Sequence, residues 1–443
     1  MRVLVIDSEN MALDFVLRCT AAGHHVRWFK YEKPGKPIRD GEGFKGFEIV
    51  DDWRPSMGWA KEGLILNTGN WRYVHELDRY REHGFKVFGP TVASSKLEIE
   101  RSVGMDAMKA AGIDVPPYQV FDSLQDAAKF ARKSDRAWVH KPMGDEDDKG
   151  LTYVGKDPAD LVAWIERRIN KGVKLKGQVM LQEKVDCLCE IGVSGWFGPD
   201  GFLPDKWQVC IEHKKLYPGE VGQNTGEQGS VCQYEEVDKL ANEMLVPMVG
   251  ALRAAGHRGD FCIGAMVDTA GKAHPLEYTA RLGYPAWFVQ VASHKGDPAQ
   301  WMRDLLDGKD TLKVSYDVAI GVVLSQPRYP HNDSPPEMVE GNPIKGLEDT
   351  WNDMHLSSAM IGRGPKMKDG KVQDGPVYQT TGEWVACATG LGKTVTQARK
   401  RVYGTIGEVH FSNMGYRDDI GEKLQKALPK MHSAGYLINM KYE

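Results

Sequence analysis

The sequence predicts an α/β chain of several lobes that opens with a mostly parallel sheet. Three observations predict it. Apolar strand-like runs alternate with amphipathic helical stretches through the first 90 residues, the β-α-β rhythm of an open sheet with helices on both faces. The 443 residues are enough for about three domains or one large multi-lobed enzyme. Hydrophobic residues make up 41% and charged residues 27%, which fits a globular chain and excludes disorder, collagen-like repeats and coiled coil as the main architecture.

Taken in order, RVLVID (2–7) reads as a buried strand and residues 10–22 as the helix after it, stopped by Gly23. HVRWFKY is the next strand, and LILNTG (64–69) another that runs into a loop. VHELDRYREHG is a helix and KVFGP a strand. Ligands of such sheets bind beyond the carboxyl ends of the strands, so the loops after Asp7 and after Leu66 are candidate ligand loops. Residues 96–112 read as one helix, and Pro116-Pro117 as a linker. A second α/β segment follows: helix QDAAKFARK, strand AWVHKP, an acidic loop, strand LTYVG, helix DPADLVAWIERRI and strand QVMLQEKV. From 188 to 326 come longer strands, a glycine-rich loop at 219–229, a helix at 237–255, and strands near 261–268 and 273–278. A third unit begins near Val318 and ends in WVACATGLGKTVTQARKRVYGTIGEVHF.

Several classes are excluded. The net charge of −4 provides no global basic field for nucleic acid or anionic membrane. No apolar run approaches the ~20 residues of a membrane helix. MRVLVID does not read as a signal peptide. Seven scattered cysteines make no disulfide framework and point to a reducing cytoplasm. The Cys187/Cys189 pair lies in a strand-like alternation with no second ligand pair, so it reads as structural. No HExxH or GxSxG occurs, and the 13 histidines do not cluster at ligand spacing. TGLGKT (389–394) has the tail of a phosphate loop, but the glycine that the pattern needs at 387 is Cys387. It reads as a strand-to-helix turn made by Gly390 and Gly392.

Two stretches suggest phosphate and carboxylate chemistry. In HKPMGDEDDKG (140–150) a strand ends at Lys141 and enters a glycine-bounded loop, one way to hold nucleotide phosphates. In GEVGQNTGEQG (219–229) backbone N–H groups are offered to an anion, and in HPLEYTARLG (274–283) Glu277 and Arg281 supply a metal-binding carboxylate and a charge clamp. Read alone, the first is an acidic surface loop and the second a surface salt bridge.

In sequence order these pieces, with FGPT (88–91), LE (97–98), EHKK (212–215), GQNTG (222–226), LEYTARLG (276–283) and the segment 384–421, resemble the ATP-grasp ligases. More narrowly they resemble the phosphoribosylamine–glycine ligase family. The resemblance implies an ATP-grasp fold with an N-terminal open parallel α/β domain (1–101), an ATP-grasp domain (102–315, with its lid at about 115–187 and its core at 188–315) and a C-terminal α+β domain (316–443). It implies ATP and Mg²⁺ (or Mn²⁺), and a reaction in which a carboxylate is phosphorylated and then attacked by an amine. By motif, Lys141 touches the ATP phosphates, and Gly144, Lys149 and Gly150 belong to the lid loop. Gln182, Glu183 and Val185 hold adenine, and Glu190 the ribose. Lys214, Asn224 and Arg281 serve catalysis, while His213, Thr225 and Gly226 line the substrate side. Glu277 and Thr279 hold the metal. Asp260, on the neighbouring strand, is an extra candidate ligand for that metal, but reads first as a salt bridge to Arg258 or a surface residue.

The sequence departs from that family in the substrate loops. A GGREHA-like glycine turn reads DSENMALD (7–14), GPExPL reads NTGNWRY (67–73), NTGGMG reads NTGEQG, and the metal motif Glu-x-Asn reads Glu277-Tyr278-Thr279. RFGDPE reads RLGYPA (281–286), and Tyr284 with Trp287 suggests either a flatter apolar pocket or core packing. Three readings follow: a carboxylate–amine ligase with a changed amine, a true glycinamide ribonucleotide synthetase, or an inactive binding scaffold. The expected partners are a small carboxylate (glycine or another amino acid) and an amine, with a modified nucleotide left open, no nucleic acid and no membrane. The expected state is a monomer or weak homodimer.

Overall fold

The structure is a computed structural model and describes residues 1–33, 35–143, 152–173, 177–331 and 333–443. Its first sheet has five parallel strands in the order Phe47–Val50, His25–Lys30, Arg2–Asp7, Leu64–Asn67 and Val87–Phe88. Val3, Leu4, Val5 and Ile6 are all fully buried, as a strand covered on both faces requires. The connection order reverses between Arg2–Asp7 and Leu64–Asn67, which makes their carboxyl ends the switch-point crevice.

The helix expected over 96–112 is two helices, Val92–Ile99 and Arg101–Ala110, joined at Glu100 (ψ 89°). Gly104 packs against the Leu97 carbonyl so closely that a Cβ would lie 2.4 Å from its oxygen. Thr91 and Ser94 cap the first helix reciprocally. The break turns Arg101 toward the large sheet, where it meets Glu277.

A four-stranded antiparallel sheet follows, in the order Tyr118–Phe121, Val179–Glu183, Trp138–Pro142 and Tyr153–Val154. Helices Leu124–Arg132 and Pro158–Asn170, capped by Ser123 and Asp157, pack on it around a separate core that includes Leu124, Trp138, Leu161 and Val179.

The third sheet has nine strands. Its path runs Ala273–Thr279, Gly259–Asp268, Cys187–Gly198, Trp207–Tyr217, Val221–Glu235, Val318–Ser325, Trp384–Gly392 and Met354–Leu356, with Gly201–Phe202 beside Cys187–Gly198. It is continuous across position 315, because Gly229 pairs with Val322. The glycine-rich stretch expected as a loop is largely strand: only 218–220 turns, with left-handed Gly219 and Glu220. The glycine at 229 serves strand packing, since a Cβ there would lie 2.6 Å from the Gly321 carbonyl oxygen.

TGLGKT is a structural turn. Strand Trp384–Gly392 leads directly to helix Val395–Glu408, and Cβ atoms at Gly390 and Gly392 would lie 2.6 Å from Val402 N and 2.5 Å from Ala398 N. The helix occupies the space that a phosphate would need. Among the described residues no helix is long and apolar enough to cross a membrane.

Candidate active site

Strand register builds the site. Gly192 pairs with both Cys210 and Gly264, and Gly264 pairs with Glu277. One step along, Ser194 pairs with Gln208 and Cys262, and Cys262 with Thr279. Partners across a sheet share a face, so the two glycines leave a trench between flanking side chains. From the helix Ala286–Ser293, Gln290 Nε2 donates to Gln208 Oε1 at 2.7 Å and to Ser194 Oγ at 3.2 Å, closing the inner end. The result is a cavity of about 120 Å³. Glu190, Glu212, Lys214, Glu277 and Arg281 stand at its more exposed end, and Ser194, Gln208, Asp260 and Gln290 lie at its buried floor.

The mouth is densely charged. Lys214 pairs with Glu190 and, at 3.0 Å, with Glu212. Burial works against its charge, and the two carboxylates overcome it, holding the ammonium well above the usual lysine range. Arg101 donates to Glu277 Oε2 at 2.8 Å. Arg281 lies 3.5 Å from Glu98 Oε1, while Glu98 also accepts from Ala280 N at 2.8 Å. Lys141, buried on the four-stranded sheet, donates to Gln182 Oε1 at 2.6 Å. Burial first, then repulsion from Arg101, lowers its ammonium to about 8, against attraction by Glu277 and Glu190. The two sheets thus bring Lys141, Glu190, Lys214 and Glu277 into one electrostatic neighbourhood.

Other expected residues are placed differently. Glu183 turns outward to Arg136 at 2.7 Å, while its backbone N–H bonds to Pro117 O. Val185 is half-buried in the link that follows. Thr225 is buried and donates to Lys214 O at 2.9 Å, Gly226 lines the cavity, and Asn224 is exposed on the strand beside them. His213 is not brought to the cavity. It is fully buried, its Nε2 accepts from Gly421 N at 3.1 Å, and burial and the nearby Lys423 and Arg417 push its imidazole well below the usual value. Alternation along the strand places Glu212 and Lys214 on the cavity face and His213 on the other. Gly144, Lys149 and Gly150 lie outside the described residues. Trp287 is core, edge-on to Trp196, whereas Tyr284 lines the cavity. Asp260 is buried, and Arg258 bonds to the His257 carbonyl. Arg101, Gln208 and Gln290 were missed because none belongs to a motif and only the register and the helix break reveal them; Glu98 stands in the LE (97–98) motif but was given no role there.

A second feature lies at the switch point. The Asp7 carboxylate is fully buried and accepts from Ala12 N at 2.9 Å, Met11 N at 3.3 Å, Thr68 Oγ1 at 2.9 Å and Trp28 Nε1 at 3.3 Å. Burial pushes it up in spite of those donors. The turn that leads into the first helix, beside the ordinary seat of a bound anion, is therefore held by the protein's own carboxylate. Beside it Arg72 lies over the rings of Tyr31 and Trp71, at 3.5 and 4.1 Å.

The donors fit an oxygen-ligated divalent ion. Among the described residues no group of three or more His, Cys, Asp or Glu side chains is placed to hold a metal. A carboxylate at Glu277 with the Thr279 hydroxyl beside it suits an ion bound chiefly through nucleotide phosphates, as Mg²⁺ commonly is. Gln182 Nε2, buried without a partner among the described residues, suits a nucleotide acceptor atom.

A five-stranded parallel sheet, a small four-stranded antiparallel sheet and a large antiparallel sheet that carries the charged cavity make up the ATP-grasp fold. The particular relatives are phosphoribosylamine–glycine ligases. Residues 319–423 match the family model described as "Phosphoribosylglycinamide synthetase, C domain". The ligase of Neisseria meningitidis serogroup A is 27% identical over 362 residues, covering 78% of this chain and 81% of that one. The ligase of Clostridium acetobutylicum is 26% identical over 366 residues, with the same coverage. The crystal structure of the Thermotoga maritima ligase superposes with a TM-score of 0.70 at 23% identity, over 95% of this chain and 100% of that one. The N5-carboxyaminoimidazole ribonucleotide synthetase of the same organism gives 0.57 at 14% identity, over 93% and 99%. The chain has the ATP-grasp fold and is similar in sequence to these ligases.

Proposed function

We propose that the protein joins a small carboxylate to an amine at the expense of ATP, activating the acid as an acyl phosphate and releasing ADP and phosphate. The observation that carries this reading is the gathering of Lys141, Arg101, Glu277, Glu190 and Lys214, close enough that the other four all perturb the Lys141 ammonium. Lys141 holds the triphosphate, with Gly144, Lys149 and Gly150 contributing from the lid. Gln182, Glu183 and Val185 form the adenine side, and Glu190 meets the ribose, sharing it with Lys214. Glu277 and Thr279 hold Mg²⁺ or Mn²⁺, which neutralises charge on the phosphates. Arg281, Lys214 and Asn224 steady the transferring group, and Thr225 and Gly226 border the acid.

The acid is glycine or another amino acid, and the amine is not phosphoribosylamine. The buried Asp7 supports that choice, because a phosphate dianion at this helix N-terminus would lie beside a carboxylate. The setting is the cytoplasm, which suits seven free thiols, and the state a monomer or weak homodimer. The experiment is ADP release across a matrix of amino acids and amines, with phosphoribosylamine plus glycine as one cell. Turnover in another cell supports the reading. Turnover in the phosphoribosylamine cell alone restores the relatives' reaction, and no turnover anywhere points to a binding scaffold.

A further inference from the structure

The floor of the cavity is polar where the inside of a sheet is ordinarily apolar. Asp260 is 4% exposed, and Gln208 and Gln290 are each 2% exposed. Asp260 Oδ1, Gln208 Nε2 and Gln290 Oε1 have no hydrogen-bond partner among the described residues. Leaving one buried polar atom unmatched costs about 1–3 kcal/mol, and folded proteins seldom do so. Here three such atoms, two acceptors and one donor, belong to residues that line one chamber.

The chamber also carries buried acid. Burial pushes Asp260 up to about 7, against hydrogen bonds from Gln290 and Ser194 and the attraction of Arg281. Asp260 makes no direct ion pair among the described residues: Arg281 bonds to Glu98 and to the Leu282 carbonyl and attracts Asp260 only from a distance. A second buried carboxylate, Glu227, lines the same cavity and is met by Ser230. A carboxylate removed from water calls for a cation.

We propose that this chamber recognises a primary ammonium group carried by the carboxylate substrate, with Asp260 as its counter-ion and Gln208 and Gln290 orienting it. The proposal rests on the ligase reading and narrows its acid. Asp260 lies two residues beyond Cys262, the partner of Thr279, and four beyond Gly264, the partner of Glu277. At roughly 3.3 Å per residue, the floor is about 13 Å from the level of the metal carboxylate. An α-amino acid carries its ammonium beside its carboxylate and does not bridge that interval. The acid is therefore an ω-amino carboxylate or a diamino acid, its carboxylate at the mouth and its distal ammonium on Asp260.

The test uses hydroxylamine as the amine, which removes dependence on the unknown nucleophile. Straight-chain amino acids from glycine to 6-aminohexanoate, with lysine and ornithine, are compared with unaminated acids of equal length by ADP release and hydroxamate formation. We expect the optimum kcat/KM at a chain of about three to five methylenes, and at least about a hundredfold preference over the unaminated acid. Asp260→Asn should erase most of that preference, through KM for the acid. Gln290→Met should raise the same KM about tenfold, and it keeps the test intact if the first variant misfolds. A glycine optimum, equal use of unaminated acids, or an unchanged preference in Asp260→Asn would overturn the assignment while leaving the ligase reading in place. Mg-ATP-dependent ADP release with no acid at all would instead overturn the ligase reading itself.

Discussion

Arg101 donates to Glu277 Oε2 at 2.8 Å across 176 residues of chain. The carboxylate that the motif assigns to the metal thus rests on an arginine supplied by a helix break at Glu100. A bound nucleotide would place phosphates within reach of such a guanidinium, and Glu277 would then be released to hold an ion. Glu277→Gln should lower kcat by at least about a hundredfold. Because the Glu277 side chain is 44% exposed, its melting temperature should stay close to that of the parent. Rates measured against Mg²⁺ concentration check this; near-normal turnover at any concentration would remove Glu277 from the metal.

Lys141 gives a pH dependence. Its ammonium is lowered to about 8 by burial, then by Arg101. The charged form binds phosphates, so ATP affinity should be full below pH 8 and fall by up to about tenfold per pH unit above it. Arg101→Gln removes one cause of the depression and should carry the decline to higher pH. Lys141→Ala should weaken ATP binding by about 1.5–3 kcal/mol at neutral pH. Calorimetric titration of Mg-ATP from pH 7 to 9.5 checks all three.

How much of this was legible in the sequence depends on how local each signal is. The first strand announced itself through Val3–Ile6, an apolar run that only a doubly covered strand tolerates. Lys141 and Glu277 could be named because each sits in a short stretch whose pattern survives. The 219–229 segment misled, since its glycines suggested a loop whereas Gly229 answers to the neighbouring strand's carbonyl. His213 misled because alternation along a strand decides which face a residue takes, and the neighbouring Lys214 took the cavity. Asp260 and Gln208 were opaque. Their proximity arises from pairing through the intervening strand Cys187–Gly198, which no one-dimensional pattern records.

Gly392 tests the turn reading of TGLGKT. A Cβ there would lie 2.5 Å from Ala398 N and 2.6 Å from Gln397 Cβ, inside the first turn of the following helix. Gly392→Ala should destabilise the protein by about 1–3 kcal/mol, the scale of overpacking. Affinity for Mg-ATP, measured well below the melting temperature, should not change. A specific loss of nucleotide binding in a variant of normal stability would revive the phosphate-loop reading.

Asp40 shows the opposite pH behaviour from a surface acid. It is buried, bonded by Thr381, and raised by burial to about 7. Between the ordinary carboxylate value and 7 the folded state holds a proton that the unfolded state has lost. Stability should therefore fall with rising pH across that window, by up to about 1.4 kcal/mol per unit from this group, and level off above 7. Asp40→Asn, which imitates the protonated acid, should remove that contribution, so its stability relative to the parent improves from pH 5 to pH 8. Urea denaturation of both proteins at the two pH values checks the sign.

Asp7 carries the substrate prediction. Its two oxygens receive four donors, two of them N–H groups of the turn that leads into the first helix. Replacing it by alanine leaves those donors buried and unmatched, at a cost of about 2 kcal/mol or more. The same geometry bears on the amine. A sugar phosphate bound at this switch point would find the Met11 and Ala12 N–H groups already held by Asp7, and it would add a dianion beside a carboxylate with little water between them. Side chains at Glu9 and Asn10 also stand where glycine would let a ligand approach the backbone. With freshly generated phosphoribosylamine and glycine, kcat/KM should therefore stay below about 10⁴ M⁻¹s⁻¹, the lower end of ordinary enzymes. Steady-state kinetics decides the matter: a value at or above that level would mean that the phosphate is held elsewhere, with the Arg72 guanidinium over Tyr31 the first place to look.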